Sequence, residues 1–162
     1  MARLTIPAVL VLYVTLLLAM LMEIMPVYSA VSAWRPAWPL MVLLYWGLAL
    51  PHRVNIGHAF VVGLMLDVLL GNLLGVNALS YSLVMYIFVS GFQKIRTFSL
   101  WQQALIVAGL ILLHQLVNYT GNYWLNDFSL QQDFIKPIIT SALIWPWLFL
   151  LLRKLRRQFK VQ

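Results

Sequence analysis

The sequence predicts an all-α integral membrane protein of six transmembrane helices joined by short loops. Hydrophobic residues make up 63% of its 162 positions and charged residues 9%. Soluble domains carry roughly 45–50% and 25%, so composition argues against a water-soluble globule. Six spans of ~20 residues would use ~120 positions and leave ~40 for every loop and tail. The chain therefore reads as one polytopic unit over 1–162, with no room for a soluble domain. High hydrophobicity also excludes intrinsic disorder, and the absence of cysteine removes disulfide scaffolds, thiol catalysis and thiolate metal sites.

The first span runs over 6–25, with Pro7 near its start and Pro26 just past its end. Arg3, this apolar run and the small residues Ser29 to Ala33 resemble a secretory signal, but the run exceeds the ~7–15 apolar residues of a cleavable core. The second run, 37–50, holds 14 residues and would rise only ~21 Å against a hydrocarbon core of ~30 Å. It is a short span or a re-entrant hairpin; Trp34 and Trp38 at one end with Tyr45 and Trp46 toward the other favour a short span anchored at both interfaces. The remaining spans are 54–74, 78–92, 100–124 and 137–152, followed by a basic tail over 153–162. Six of the seven prolines fall at or near span ends, and only Pro146 lies inside one, where a kink or a frayed last half is expected.

Charge sets the expected topology. With six spans and both termini on one side, that side holds Arg3, Arg53, Lys94, Arg96, Arg153, Lys154, Arg156, Arg157 and Lys160, while the other holds Arg35 and Lys136. Nine against two is a positive-inside asymmetry with both termini cytoplasmic. The net charge of +7 is thereby explained as anchoring charge near anionic membrane lipid. No aromatic-interleaved basic groove follows from it, so nucleic acid is not an expected partner.

Chemistry-bearing residues are few. Ala59, Gly63, Asp67, Gly71 and Gly75 recur every four residues, forming a small-residue stripe with one acid on a single helix face. Gly71 to Gly75 is a literal GxxxG, read as a helix-packing face, a partner surface or a hinge. Asp67 would lie ~20 Å along its span, in the outer half of the bilayer. An acid at that depth needs a partner or a proton, and is either a functional site or a cap for a helix broken near Gly71. His114, Asn118 and Asn122 share a face at spacing four, with Gln115 nearby; His114 reaches a depth that permits a hydrogen bond to Asp67. A satisfied packing histidine is the alternative. Glu23 and Arg35 form an expected interfacial ion pair, and His52, Arg53, Asn55 and His58 cluster at the inner mouth, either as a lipid or partner contact or as helix terminators. HExxH, GxSxG and GxxxxGK[ST] are all absent, so neither catalysis nor a cofactor or metal is expected.

Four strings carry a family resemblance: Trp34 to Gly57, Gly63 to Leu79, the LWQQAL from Leu100, and WPWLFLLLRKLRRQF from Trp145. Together they resemble the rod shape-determining MreD family of Gram-negative bacteria over nearly the whole chain. Arg35-Pro36 and the Asp67, Gly71, Gly75 spacing are the most specific parts, whereas span five and the loop before Pro137 match least. The resemblance implies a non-enzymatic inner-membrane scaffold of the cell-elongation machinery. Its implied partners are MreC, the MreB filament system, RodA and penicillin-binding protein 2. Arg35, Pro36, Arg53, Gly63, Asp67, Gly71 and Gly75 are then partner-binding or structural candidates. The family is also similar at fold level to substrate-binding subunits of energy-coupling-factor transporters. A small-molecule or lipid-binding transport subunit is therefore the alternative, with His114, Asn118 and Asn122 lining a polar cavity.

Overall fold

The computed structural model describes residues 6–26, 28, 32–126 and 135–159. Among these the chain is all-helical. The helices are α1 (Ile6–Ile24), α2 (Trp38–Ala49), α3 (Ile56–Leu70), α4 (Val76–Ser90), the short α5 (Phe92–Thr97), α6 (Leu100–Asn126) and α7 (Lys136–Gln158). Two of them, Leu100–Gly121 within α6 and Lys136–Gln158, are long and apolar enough to cross a membrane, and the others are shorter apolar helices. Arg3, Lys160, Asp127 and Asp133, named in the charge reading or lying in the loop before Pro137, fall outside the described residues.

α2 is the centre of the molecule. Its sequence is apolar on every side, so no face is suited to water, and such a helix is stable only when enclosed. Ten of its twelve residues, Pro39 to Leu48, are buried, and α1, α3, α4, α5 and α7 all pack on it. Its direction is fixed relative to its neighbours by specific contacts. Trp46 donates its indole N–H to Thr15 Oγ1 at 3.0 Å, and Glu23 meets Trp38, so α1 runs antiparallel to α2. Tyr45 lies edge-on to Phe149 at 5.3 Å, while the Ala37 N–H reaches Ser141 at 3.2 Å, so α7 runs parallel to it. Gly47, near the end of α2, faces Met85 and Phe88, near the end of α4, so these two helices finish at the same end. α6 runs against α4, since Gly121 meets Val76 and His114 meets Ser80. The long helices thus alternate in direction along the chain.

Large apolar residues also cover much of the outer surface. Leu17 on α1, Val68 on α3, Leu79 on α4, Leu105 on α6 and Leu143 and Trp147 on α7 are each more than half exposed. A water-facing surface would not carry apolar residues on every long helix around the bundle.

Three sequence expectations are corrected. The third apolar stretch ends as a helix at Leu70, because Gly71 adopts φ +67° and the chain turns; Gly71 to Gly75 is a turn and not a helical face. The link between the fourth and fifth stretches contains α5, whose N-cap is Gly91. The last helix neither frays at Pro146 nor stops at Leu152. It continues to Gln158 and carries the arginines on its final turns.

Candidate functional site

A densely hydrogen-bonded polar site is the turn between α3 and α4. Gly71 takes the left-handed conformation that a helix C-terminus favours, and its N–H returns to the Asp67 carbonyl. The Asn72 N–H reaches the same carbonyl at 3.0 Å. Gly75, at φ +101°, then starts α4 without any side chain of its own to cap it. The missing cap comes from Asp67. Its carboxylate accepts from the N–H of Gly75 at 2.8 Å, of Asn77 at 3.1 Å and of Ala78 at 3.3 Å. A helix start leaves its first amides unpaired and carries about half a positive charge, so a carboxylate is the matching group. One residue therefore closes α3 with its main chain and opens α4 with its side chain, while fully buried.

Gly63, one turn before Asp67 on the same face, lets α4 come close enough for this to happen. A Cβ at Gly63 would sit 2.6 Å from Ala78 Cα and 2.7 Å from both the Ala78 nitrogen and the Asn77 carbonyl oxygen. Those are backbone atoms at the very residues Asp67 caps. At Gly71 and Gly75 an added Cβ would meet nothing within 4 Å. The expectation that these two glycines serve close helix packing is corrected: their requirement is the positive φ, and the packing glycine is Gly63.

A second capped junction joins α1 to α2. The Arg35 guanidinium donates to the main-chain carbonyls of Glu23 and Met25, at the end of α1. The Glu23 carboxylate accepts from the Trp38 N–H at 3.3 Å, at the start of α2, and Ser141 Oγ from α7 accepts from Ala37. The Arg35 charge acts on the Glu23 carboxylate, as an ion pair would, while their hydrogen bonds cap two helix ends, the cation on carbonyls and the acid on an amide. Pro36 sits between them in the non-helical link, and Lys136 lies 5.8 Å from the Trp34 ring.

On the polar face of α6, His114 and Asn118 make bonds within the bundle. His114 Nδ1 lies 2.6 Å from Ser80 Oγ on α4, and the Tyr81 ring meets the imidazole edge-on at 5.0 Å. Asn118 Nδ2 lies 3.0 Å from Nδ1 and donates to the His114 carbonyl at 3.1 Å. The Asp67–His114 bond that depth alone permits is not made, because α4 stands between α3 and α6 and takes the polar atoms of both. The side chain of Asn122 is outside the described residues. Arg53 is exposed in the turn after α2, its N–H bonded to the Leu50 carbonyl at 2.9 Å. Beside it, Asn55 caps α3 through the Gly57 N–H at 3.2 Å, the helix-terminating alternative for that cluster. Sequence reasoning missed Ser80, Ser141 and the buried Gln103, whose amide holds the Ile95 and Phe98 carbonyls at 3.1 Å each. Only Gln103 carried a signal, as a polar residue one turn into an apolar helix.

An alternating set of helices, apolar outside as well as inside, with Glu23 and Asp67 spent on helix starts, defines an all-helical protein of the membrane class. The family model for rod shape-determining protein MreD matches residues 3–155. A curated relative, rod shape-determining protein MreD of Haemophilus influenzae, is 38% identical over 144 residues, covering 89% of each chain. The chain belongs to the MreD family. No solved structure matches it.

Proposed function

We propose that the protein is a non-enzymatic scaffold of the bacterial inner membrane that helps maintain rod shape. In this reading it binds MreC and helps couple the MreB filament system to wall synthesis by RodA and penicillin-binding protein 2. The observation that carries the reading is the family match over nearly the whole chain. Six membrane crossings with both termini cytoplasmic are supported by the alternating helix directions and by the nine-to-two distribution of basic residues.

The polar geometry supports a scaffold over a reaction centre. Asp67, Glu23 and His114 each engage a neighbouring helix, and groups so engaged orient helix faces. Lipid offers no hydrophobic drive for helices to associate, so fixed helix faces that pack and hydrogen-bond are what a membrane partner can recognise. Depletion should convert rods to spheres while wall-synthase activity of isolated membranes persists. Retention of rod shape after full depletion, or loss of MreC copurification by none of the cap variants described below, would count against the scaffold. Reporter fusions at Ala30, Arg53, Asn77, Lys94 and Asp127 should read out, in, out, in, out; a periplasmic signal at Arg53 would overturn the six-span topology.

A further inference from the structure

At the end opposite the acid caps, where α2 finishes, a cavity of about 420 Å³ opens between α2, α5 and α7. Its floor is aromatic and apolar, made by Tyr45, Leu48, Ala49 and Phe149, and its rim is Arg96, Arg153, Arg156 and Arg157. No acid lines it. Glu23 and Asp67, the two acids among the described residues, are at the other end and already accept from helix amides. The C-terminus of α2 supplies about half a negative charge, far short of the four positive charges gathered around it.

The convergence is built by the fold. Positions 153, 156 and 157 share one face of α7, and that face is aimed at the cavity only because the helix continues past Leu152. Arg96 arrives from α5, outside the apolar stretches altogether. Lys154 and Lys94, adjacent in sequence, do not line the cavity. The basic residues are therefore sorted by geometry into a rimmed site and a remainder.

We propose that this cavity binds the phosphodiester headgroup of an anionic phospholipid, the arginines holding the phosphate and the acyl chains running along the apolar side of α7. Arginine forks match phosphate oxygens bidentately. Leu150, exposed two turns before Arg157 on the same stripe of α7, continues the site into an apolar surface, as a lipid requires and a soluble anion does not. The volume suits a headgroup. The proposal rests on the membrane reading but not on which side each loop faces.

Native mass spectrometry of the delipidated full chain in detergent tests it, with phosphatidylglycerol against phosphatidylcholine. The wild type should prefer phosphatidylglycerol, and R153Q/R157Q should lose roughly 25-fold of that preference, about five-fold for each basic group. K94Q/K154Q removes the same charge and should stay within about two-fold. Equal losses in the two pairs would mean diffuse surface charge, and an unchanged R153Q/R157Q would mean no site; either overturns the proposal. R153K/R157K keeps the charge but not the paired donors and should lose more than about two-fold but no more than the glutamine pair; binding equal to wild type would show that charge alone suffices and overturn the bidentate phosphate site. Displacement of the lipid by inorganic phosphate, or by a polyglutamate peptide at equal concentration, would overturn it in favour of a soluble anion or an acidic protein segment. Reporter topology is read separately, so failure here leaves the scaffold reading intact.

Discussion

The two ends of the bundle handle charge in opposite ways. Where α2 and α4 begin, Glu23 and Asp67 are taken up by helix amides, and Arg35 by helix carbonyls. Where α2 and α7 finish, four arginines crowd one cavity with no acid among its lining residues. The difference follows from what each end has available. An acid buried among helices costs several kcal/mol unless its oxygens are satisfied, and the cheapest donors are the unpaired amides of a helix start. Long arginines can keep their heads at the polar boundary while their stems lie on apolar surface, so they need no internal partner. One end thus fixes the architecture, and the other leaves charge over for a ligand.

Breaking the fixed end should have the largest effect. Asp67→Leu removes the acceptor for three amides at once, two of them bonded at buried positions. Each stranded donor costs about 1–3 kcal/mol, so a loss of roughly 3 kcal/mol or more is expected, read as a lowered thermal unfolding midpoint in detergent and reduced membrane abundance. Asp67→Asn keeps one carbonyl oxygen and should retain a substantial part of the stability. If Asn and Leu are equally damaging, the charge itself is what matters; if both are harmless, the cap is not what holds α3 to α4.

Glycine substitutions sharpen the same comparison. Gly63→Ala places a methyl group 2.6–2.7 Å from α4 backbone, which cannot yield as a flexible side chain would, and overpacking of this kind costs typically 1–3 kcal/mol. Gly71→Ala meets open space and should cost about 1 kcal/mol through its left-handed backbone alone. Gly71→Asn should recover much of that, because asparagine tolerates the conformation. Equal damage from Gly71→Asn and Gly71→Ala would indicate a contact that the structure does not contain.

The stretch 63–75 shows what was legible in the sequence. Spacing four put Gly63, Asp67, Gly71 and Gly75 on one face of a helix, and a break near Gly71 stood beside that reading without a way to choose, since Asn72, Leu73 and Leu74 do not forbid a helix. The stop depends on Asp67 binding amides 8 to 11 residues later, and that requires α4 to be folded back already. One of the two readings of Asp67, a cap for a helix broken near Gly71, matches its bonds to Gly75, Asn77 and Ala78; that it caps the following helix, brought close by Gly63, was not legible. The arginine cavity was hidden for a related reason. Arg96 and Arg153 lie far apart in the chain, and the sequence reading ended the last span where hydropathy falls rather than where the helix ends. α2, by contrast, was legible almost to the residue, because it is apolar all round and bounded by prolines on both sides.

The α1–α2 junction should respond less strongly than the α3–α4 turn. Arg35→Met removes the guanidinium from two carbonyls while keeping an extended apolar stem, and a cation at a helix C-terminus is worth about 0.3–1 kcal/mol. Glu23→Gln keeps an acceptor for Trp38 and should be milder still. A loss for Arg35→Met as large as that for Asp67→Leu would show that the two junctions are equally critical.

The smallest expected effect is at the α4–α6 contact. Ser80→Ala deletes the hydroxyl 2.6 Å from His114 Nδ1, but Asn118 remains 3.0 Å from the same nitrogen, so the imidazole is not stranded. Side-chain hydrogen bonds between membrane helices average about 0.6 kcal/mol, which sets the size of the loss. His114→Ala also removes the ring against Tyr81 and leaves a cavity, so it should cost more than Ser80→Ala even though both break the same bond. Unfolding of the two single variants and the double variant separates these contributions: if the bond dominates, the double variant should be little worse than His114→Ala. A double variant whose loss equals the sum of the singles would show that Ser80 and His114 contribute independently, through packing, and that the hydrogen bond adds nothing to holding α4 against α6.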